Sequence, residues 1–228
     1  MYKFLLIDLD DTILDFHKAE KIALGKTLED FGIEPTPETC ALYSRINLEH
    51  WERLERKELT REQVLVGRFD VLFQTLGKTA DAQLCARTYE KNLSQGHWFL
   101  PGALEALESL EKKYQLYIAS NGTARVQNGR LDSANIRHFF REIFISQEMG
   151  ADKPDPVYFT RCFEKIPGFD PKQTMIIGDS LTSDIQGGIS AGITTCWINP
   201  HHKPTRNGIT PDYELESLSQ LEELLETL

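Results

Sequence analysis

The chain has 228 residues, of which 40% are apolar and 26% charged, and its net charge is −10. That length suits one large domain or a core with a sizeable insertion, and the composition excludes disorder as the main state. The acidic balance argues against a nucleic acid polymer or an anionic membrane as partner, but a cation and a lysine at one site can still reverse the local field for a small anion.

The chain opens MYKFLLIDLDDT. Its apolar run, Phe4 to Ile7, is too short for a signal peptide, and no stretch approaches the ~18 apolar residues of a membrane span. A cytoplasmic protein is therefore expected. The run reads as a short buried strand. From about 15 to 98 no strand pattern occurs. Helices are predicted near 16–31, 37–57, 60–76 and 80–95, with breaks at Gly32–Pro37, Glu58–Thr60 and Gly77–Thr79. The stretch 98–102, Trp-Phe-Leu-Pro-Gly, reads as a hinge. Beyond it, strands are predicted at Leu116–Ala119, Ile143–Ile145, Met175–Ile177 and Thr194–Ile198. Helical patterns fall at Ala103–Tyr114, after Gly122, at Pro156–Lys165 and at Thr182–Ala191. Ser217 and Gln220 form a capping-box signature for a final helix.

Alternating strands and helices predict an α/β fold with a Rossmann-like parallel sheet. A crossover between parallel strands needs only about a dozen residues. The eighty after the first strand therefore predict an inserted α-helical cap domain at 15–98, within a core of 1–14 and 99–228. The four cysteines show no Cys-x-x-Cys spacing and read as free thiols.

Ligands of open parallel sheets bind beyond the carboxyl ends of the strands. Asp8-Leu9-Asp10-Asp11-Thr12 follows the first strand and Ser120-Asn121-Gly122-Thr123 the second. Lys153-Pro154 follows the third, and Gly178-Asp179-Ser180 with Asp184 the fourth. Asp8 and Asp10, two apart on an extended segment, emerge on one side. Adding Asp179 crowds three acids, which is unfavourable unless a cation neutralises them. Oxygen ligands without His or Cys point to Mg²⁺, which commonly takes a substrate phosphate as well.

These four segments resemble the motifs of the haloacid dehalogenase-like phosphohydrolases, and the likeness spans nearly the whole chain. One departure is Asp11, where many members carry Gly. The resemblance implies Asp8 as the nucleophile that forms an aspartyl-phosphate and Asp10 as the general acid and base. Mg²⁺ would be held by Asp8, the Asp10 backbone carbonyl and Asp179. Ser120 and Asn121 would bind the phosphoryl group and Lys153 would stabilise its charge. Asp184, Thr12 and Ser180 would support these groups. A carboxylate at Asp10 favours phosphate chemistry over dehalogenation. The pattern is most similar to the pyrimidine and noncanonical 5′-nucleotidase branch, so a nucleotide is the expected small-molecule partner. A sugar-phosphate phosphatase or phosphomutase shares the motifs, and a phospho-aspartate switch is a third reading. Phe16 and His17 are candidate substrate contacts. The cap aromatics, such as Phe69 and Phe73, fit core positions as well as a base-stacking role, and His201-His202 reads as an exposed loop pair.

Overall fold

A computed structural model describes residues 2–206 and 208–228. In chain order the elements are β1 (Phe4–Ile7), α1 (Phe16–Asp30), α2 (Pro37–Glu55), α3 (Arg61–Thr75), α4 (Ala82–Leu93) and α5 (Ala103–Leu110). There follow β2 (Gln115–Ser120), α6 (Ala124–Ser133), β3 (Phe140–Ile145), α7 (Ser146–Met149), α8 (Pro156–Glu164) and β4 (Thr174–Gly178). A π-helical turn at Leu181–Ile185 leads into α9 (Gln186–Ala191), then β5 (Thr194–Ile198), β6 (Tyr213–Leu215) and α10 (Leu221–Thr227). The chain divides into two compact units, Met1–Phe16 with His97–Leu228, and His17–Gly96.

The first unit is a six-stranded, all-parallel sheet in the order β3-β2-β1-β4-β5-β6. The sheet is covered on both faces, so its central strands read as continuous apolar runs rather than alternating ones. All four β1 residues are fully buried. Leu5, Ile7, Leu116, Ile118, Met175 and Ile177 share one core with Leu107 of α5 and Leu221 of α10. Phe4, Leu6, Tyr117 and Ile176 face the other core, with Tyr158, Phe159 and Cys162 of α8. The strand order reverses between β1 and β4, which places a crevice at their carboxyl ends.

Where the first unit interrupts its sequence, its two free segments pair with each other. Leu14 and Phe99 form an antiparallel bridge, Asp15 N–H donates to the Trp98 carbonyl at 2.8 Å, and Leu100 N–H to that of Ile13 at 2.9 Å. These bonds tie Asp15 and Trp98 to the first unit, and the second unit runs His17–Gly96.

In the second unit, α2 packs on α3 and α3 on α4. The helices begin where the side chains supply caps for otherwise unpaired N–H groups. Thr36 caps α2, Thr60 and Gln63 form a capping box on α3, and Asp81 caps α4. Tyr43, Phe69 and Tyr89 are fully buried and their rings lie 5.2–5.5 Å apart, so these aromatics are core. Beside them runs a largely buried polar chain. Glu20 accepts from Ser44 Oγ at 2.7 Å and Asn47 Nδ2 at 2.9 Å, and Asn47 Oδ1 accepts from Arg68 at 2.7 Å. Among the described residues no helix is long and apolar enough to cross a membrane.

Candidate active site

The register explains why motif segments far apart in sequence meet. Ile7 of β1 lies opposite Ile118 of β2 and Ile177 of β4. The residues just beyond these, Asp8, Ser120 and Asp179, therefore emerge along one edge. Asp8 N–H still bonds the Ile177 carbonyl at 2.9 Å, so the ladder fixes its backbone.

Lys153 is the hub. Its ammonium donates to Asp8 Oδ1 at 2.7 Å, to Asp184 Oδ1 at 2.6 Å and to the Ala119 carbonyl. All three of its protons are thereby engaged, and it is 1% exposed. Asn121 holds the lysine's backbone: its Nδ2 donates to the Lys153 carbonyl and its Oδ1 accepts from the Lys153 N–H, both at 2.8 Å. The Asn121 side-chain amide therefore shapes the lysine loop beside the site. The Lys153–Pro154 peptide is cis.

One carboxylate oxygen from each of Asp8, Asp179 and Asp184 lies within 4.8 Å of the others. Desolvation by burial lifts the Asp8 carboxyl to about 7; Lys153 pulls against this, and Asp184 and Asp10 add to it. Asp179 is raised well above the carboxylate range by desolvation and by Asp8 and Asp184. Burial opposes the Lys153 charge, but Asp184 and Asp8 outweigh it and hold the ammonium above its ordinary value. With all three acids ionised, the carboxylates and the one ammonium would leave two negative charges uncompensated, the deficit that one divalent cation fills. An all-oxygen donor set fits Mg²⁺.

The β4 tip is built around close approach. A Cβ on Gly178 would collide with the Asp184 carboxylate, so only glycine admits that side chain. Asp184 Oδ2 accepts the Ser180 N–H at 3.1 Å, and Ser180 Oγ accepts the Ser183 N–H at 3.2 Å, which starts the π-helical turn. Trp197, 2% exposed, donates its indole N–H to the Asp179 carbonyl at 2.7 Å.

Asp11 has φ 54°, in the left-handed region that glycine occupies freely and aspartate tolerates. Its Oδ1 accepts the Phe16 N–H at 2.9 Å, which satisfies the first donor of α1. The residue that departs from the family pattern thus takes a conformation open to glycine and adds a cap. Thr12 is buried, and its hydroxyl has no hydrogen-bond partner among the described residues.

The Asp10 carboxylate stands apart from the three-acid cluster. It pairs with Arg130 through Oδ1, and its Oδ2 accepts from Gln127 at 2.7 Å. Ser120 Oγ accepts from the same Gln127 amide at 2.7 Å and from the Gly122 N–H at 3.2 Å. Gly122 leaves room for Gln127, whose side chain a Cβ would strike. Gln127 and Arg130 were not singled out by sequence. The signal was a Gln and an Arg three apart on the helix that opens just after Ser120-Asn121-Gly122-Thr123. Phe16 is half-buried with the Arg130 guanidinium 5.7 Å from its ring centre, and His17 is exposed. His201 and His202 are exposed, and His202 pairs with Glu216 at 3.2 Å.

The relatives place this strand order, with its acid–lysine crevice at the reversal point, in a class of hydrolases. The haloacid dehalogenase-like hydrolase model matches residues 5–198. The chain belongs to that family. It is 42% identical to the HAD-hydrolase YfnB of Bacillus subtilis, over 98% of this chain and 95% of that protein. It is 39% identical to the pyrimidine 5′-nucleotidase PynA of Streptococcus pneumoniae, over 99% and 95%. It is 30% identical to the pyrimidine 5′-nucleotidase YjjG of Escherichia coli, over 98% of each. The crystal structure of YfnB bound to magnesium superposes with a TM-score of 0.94 over 98% of both chains.

Proposed function

We propose that this hydrolase is a Mg²⁺-dependent phosphatase that removes the 5′-phosphate of nucleoside monophosphates, pyrimidine nucleotides foremost, through an aspartyl-phosphate. The observation that carries the reading is the set of Asp8, Asp179, Asp184 and Lys153 at the strand tips, with Asp10 two residues beyond Asp8. The nucleotide preference is supported by likeness to PynA and YjjG.

Asp8 and Asp179, with the Asp10 backbone carbonyl, would hold the cation. When bound, Mg²⁺ supplies the charge that lets a carboxylate approach a dianionic phosphate. Lys153 fixes Asp8 Oδ1 and so the orientation of the nucleophile. An Asp8 oxygen attacks phosphorus, the bond to the leaving oxygen breaks, and Asp10 delivers a proton to that oxygen. Asp10 then takes a proton from water, the water oxygen attacks the same phosphorus, and inorganic phosphate and free Asp8 result. A carboxylate at position 10 suits an alkoxide leaving group, which needs that proton, and has no purpose for a halide. The helical unit, His17–Gly96, is assigned the role of a cap that selects among leaving groups.

The test is phosphate release, with Mg²⁺, from 5′-nucleotides of each base, 3′-nucleotides, sugar phosphates and an aryl phosphate. A strong preference for pyrimidine 5′-nucleotides is expected. Release from sugar phosphates alone would replace the nucleotide assignment. Isomerised product without free phosphate would replace the hydrolysis itself, and a long-lived phosphoprotein would indicate a switch.

A further inference from the structure

Two side chains of α6 adjoin the site without belonging to any motif segment. Gln127 and Arg130, three residues apart, share one helix face. Arg130 is fully buried and pairs through Nη1 with Asp10 Oδ1. Gln127 is 1% exposed, and its Nε2 lies 2.7 Å from both Asp10 Oδ2 and Ser120 Oγ. Each Asp10 oxygen thus has its own donor, and one amide nitrogen joins Asp10 to Ser120. A buried guanidinium costs several kcal/mol unless paired. An apolar side chain would pack at that position without such a cost, so the charge points to a task at Asp10.

We propose that Gln127 and Arg130 are positioning residues for the hydrolytic reaction. Arg130 holds the Asp10 carboxylate in the orientation from which it serves the leaving group, and Gln127 ties that orientation to the Ser120 hydroxyl. The inference rests on the phosphatase reading above. Two consequences separate these roles from mere support of the fold. Arg130 acts on the reaction through Asp10, so its loss is felt where proton delivery limits the rate. That is the case for a poor alkoxide leaving group and not for a nitrophenolate. Gln127 acts on Asp10 and on Ser120 together, so its loss also weakens phosphate binding.

The experiment compares a pyrimidine nucleoside 5′-monophosphate with p-nitrophenyl phosphate, in Mg²⁺, for wild type, Arg130→Gln, Arg130→Lys and Gln127→Leu. Arg130→Gln is expected to lower kcat about tenfold or more on the nucleotide and less than about threefold on the aryl ester, with KM little changed. Arg130→Lys, which keeps a cation, should fall between it and wild type. Gln127→Leu should raise KM for both esters about threefold or more. Equal losses on the two esters for Arg130→Gln, or no loss, would overturn the Arg130 role. An unchanged KM would overturn that of Gln127. If Arg130→Gln does not fold, Arg130→Lys decides by the same difference between esters. A wild type inactive on both esters would overturn the phosphatase reading, whereas an active one with ester-blind Arg130 variants and an unchanged Gln127→Leu KM overturns only the positioning roles.

Discussion

Lys153 Nζ and Asp184 Oδ1 lie 2.6 Å apart, and both side chains are 1% exposed. The same ammonium reaches Asp8 at 2.7 Å, so one buried cation serves two buried acids. Removing one partner of a buried ion pair costs more than the pair itself contributes, because it strands a charge. Lys153→Met should therefore destabilise the metal-free protein by about 3–5 kcal/mol. Urea unfolding in EDTA measures this. A loss below about 1 kcal/mol would mean that the two acids carry protons in the folded protein.

Asp8→Asn removes the proposed nucleophile and one of three crowded carboxylates. Turnover should fall by on the order of 10³ or more while the unfolding midpoint stays level or rises. Activity within tenfold of wild type would remove Asp8 from the nucleophile role.

The charge deficit at Asp8, Asp179 and Asp184 makes a second statement that needs no substrate. At about a hundred times its dissociation constant, Mg²⁺ should stabilise the fold by about 2.7 kcal/mol, or raise the melting temperature by roughly 5–10 °C. Asp179→Asn should abolish that shift. A melting curve indifferent to Mg²⁺ and EDTA would contradict the cation site.

In the helical unit, burial lifts the Glu20 carboxyl above its ordinary 4.5, against the opposing pull of Ser44, Arg68, His17 and Asn47. Folding thus favours the protonated form. The stabilisation is fully present below 4.5 and is lost as pH rises through the folded value. The stability of Glu20→Gln relative to wild type should improve as pH climbs from 4.5 towards neutrality. A difference that stays flat with pH, or runs the other way, would show that the hydrogen bonds from Ser44 and Asn47 outweigh burial.

Asp11 combines a positive φ with the cap on Phe16 N–H. Asp11→Gly keeps the conformation and loses the cap; Asp11→Ala loses the cap and strains the turn. Stability should rank wild type, then Gly, then Ala, with the alanine about 1–3 kcal/mol below wild type. Alanine equal to glycine would show that the turn carries no strain.

The strands that line the crevice were legible because burial on both faces leaves apolar runs such as Phe4–Ile7 and Met175–Ile177. Short β6, Tyr213–Leu215, is partly exposed and has no such run, so periodicity could not reveal it. Helix α5 stops at Leu110, four residues before the expected Tyr114, where the backbone tightens into turns. Asp8 and Asp179 stood out because they sit directly after strands, and Lys153 and Asp184 because they fall in the polar segments that follow β3 and β4. Gln127 and Arg130 did not, because a helix interior rich in polar residues looks like a solvated face until the fold buries it. The two bonds between the Asn121 amide and the Lys153 backbone were illegible for a related reason: sequence shows that a polar group is near a site, not which backbone it pairs with.

The bridge between Leu14 and Phe99 has a consequence for how such a chain can change. Because the α/β unit closes its own backbone bonds across that gap, the eighty residues between are spliced in at a single, self-sealed seam. Lengthening a loop already this long adds only about 0.6 kcal/mol of closure entropy per doubling. The helical segment can therefore drift in length and sequence, or be exchanged wholesale, while the strand-tip chemistry is inherited intact. On the cap role proposed above, a single catalytic apparatus can be given new clients by editing one cassette.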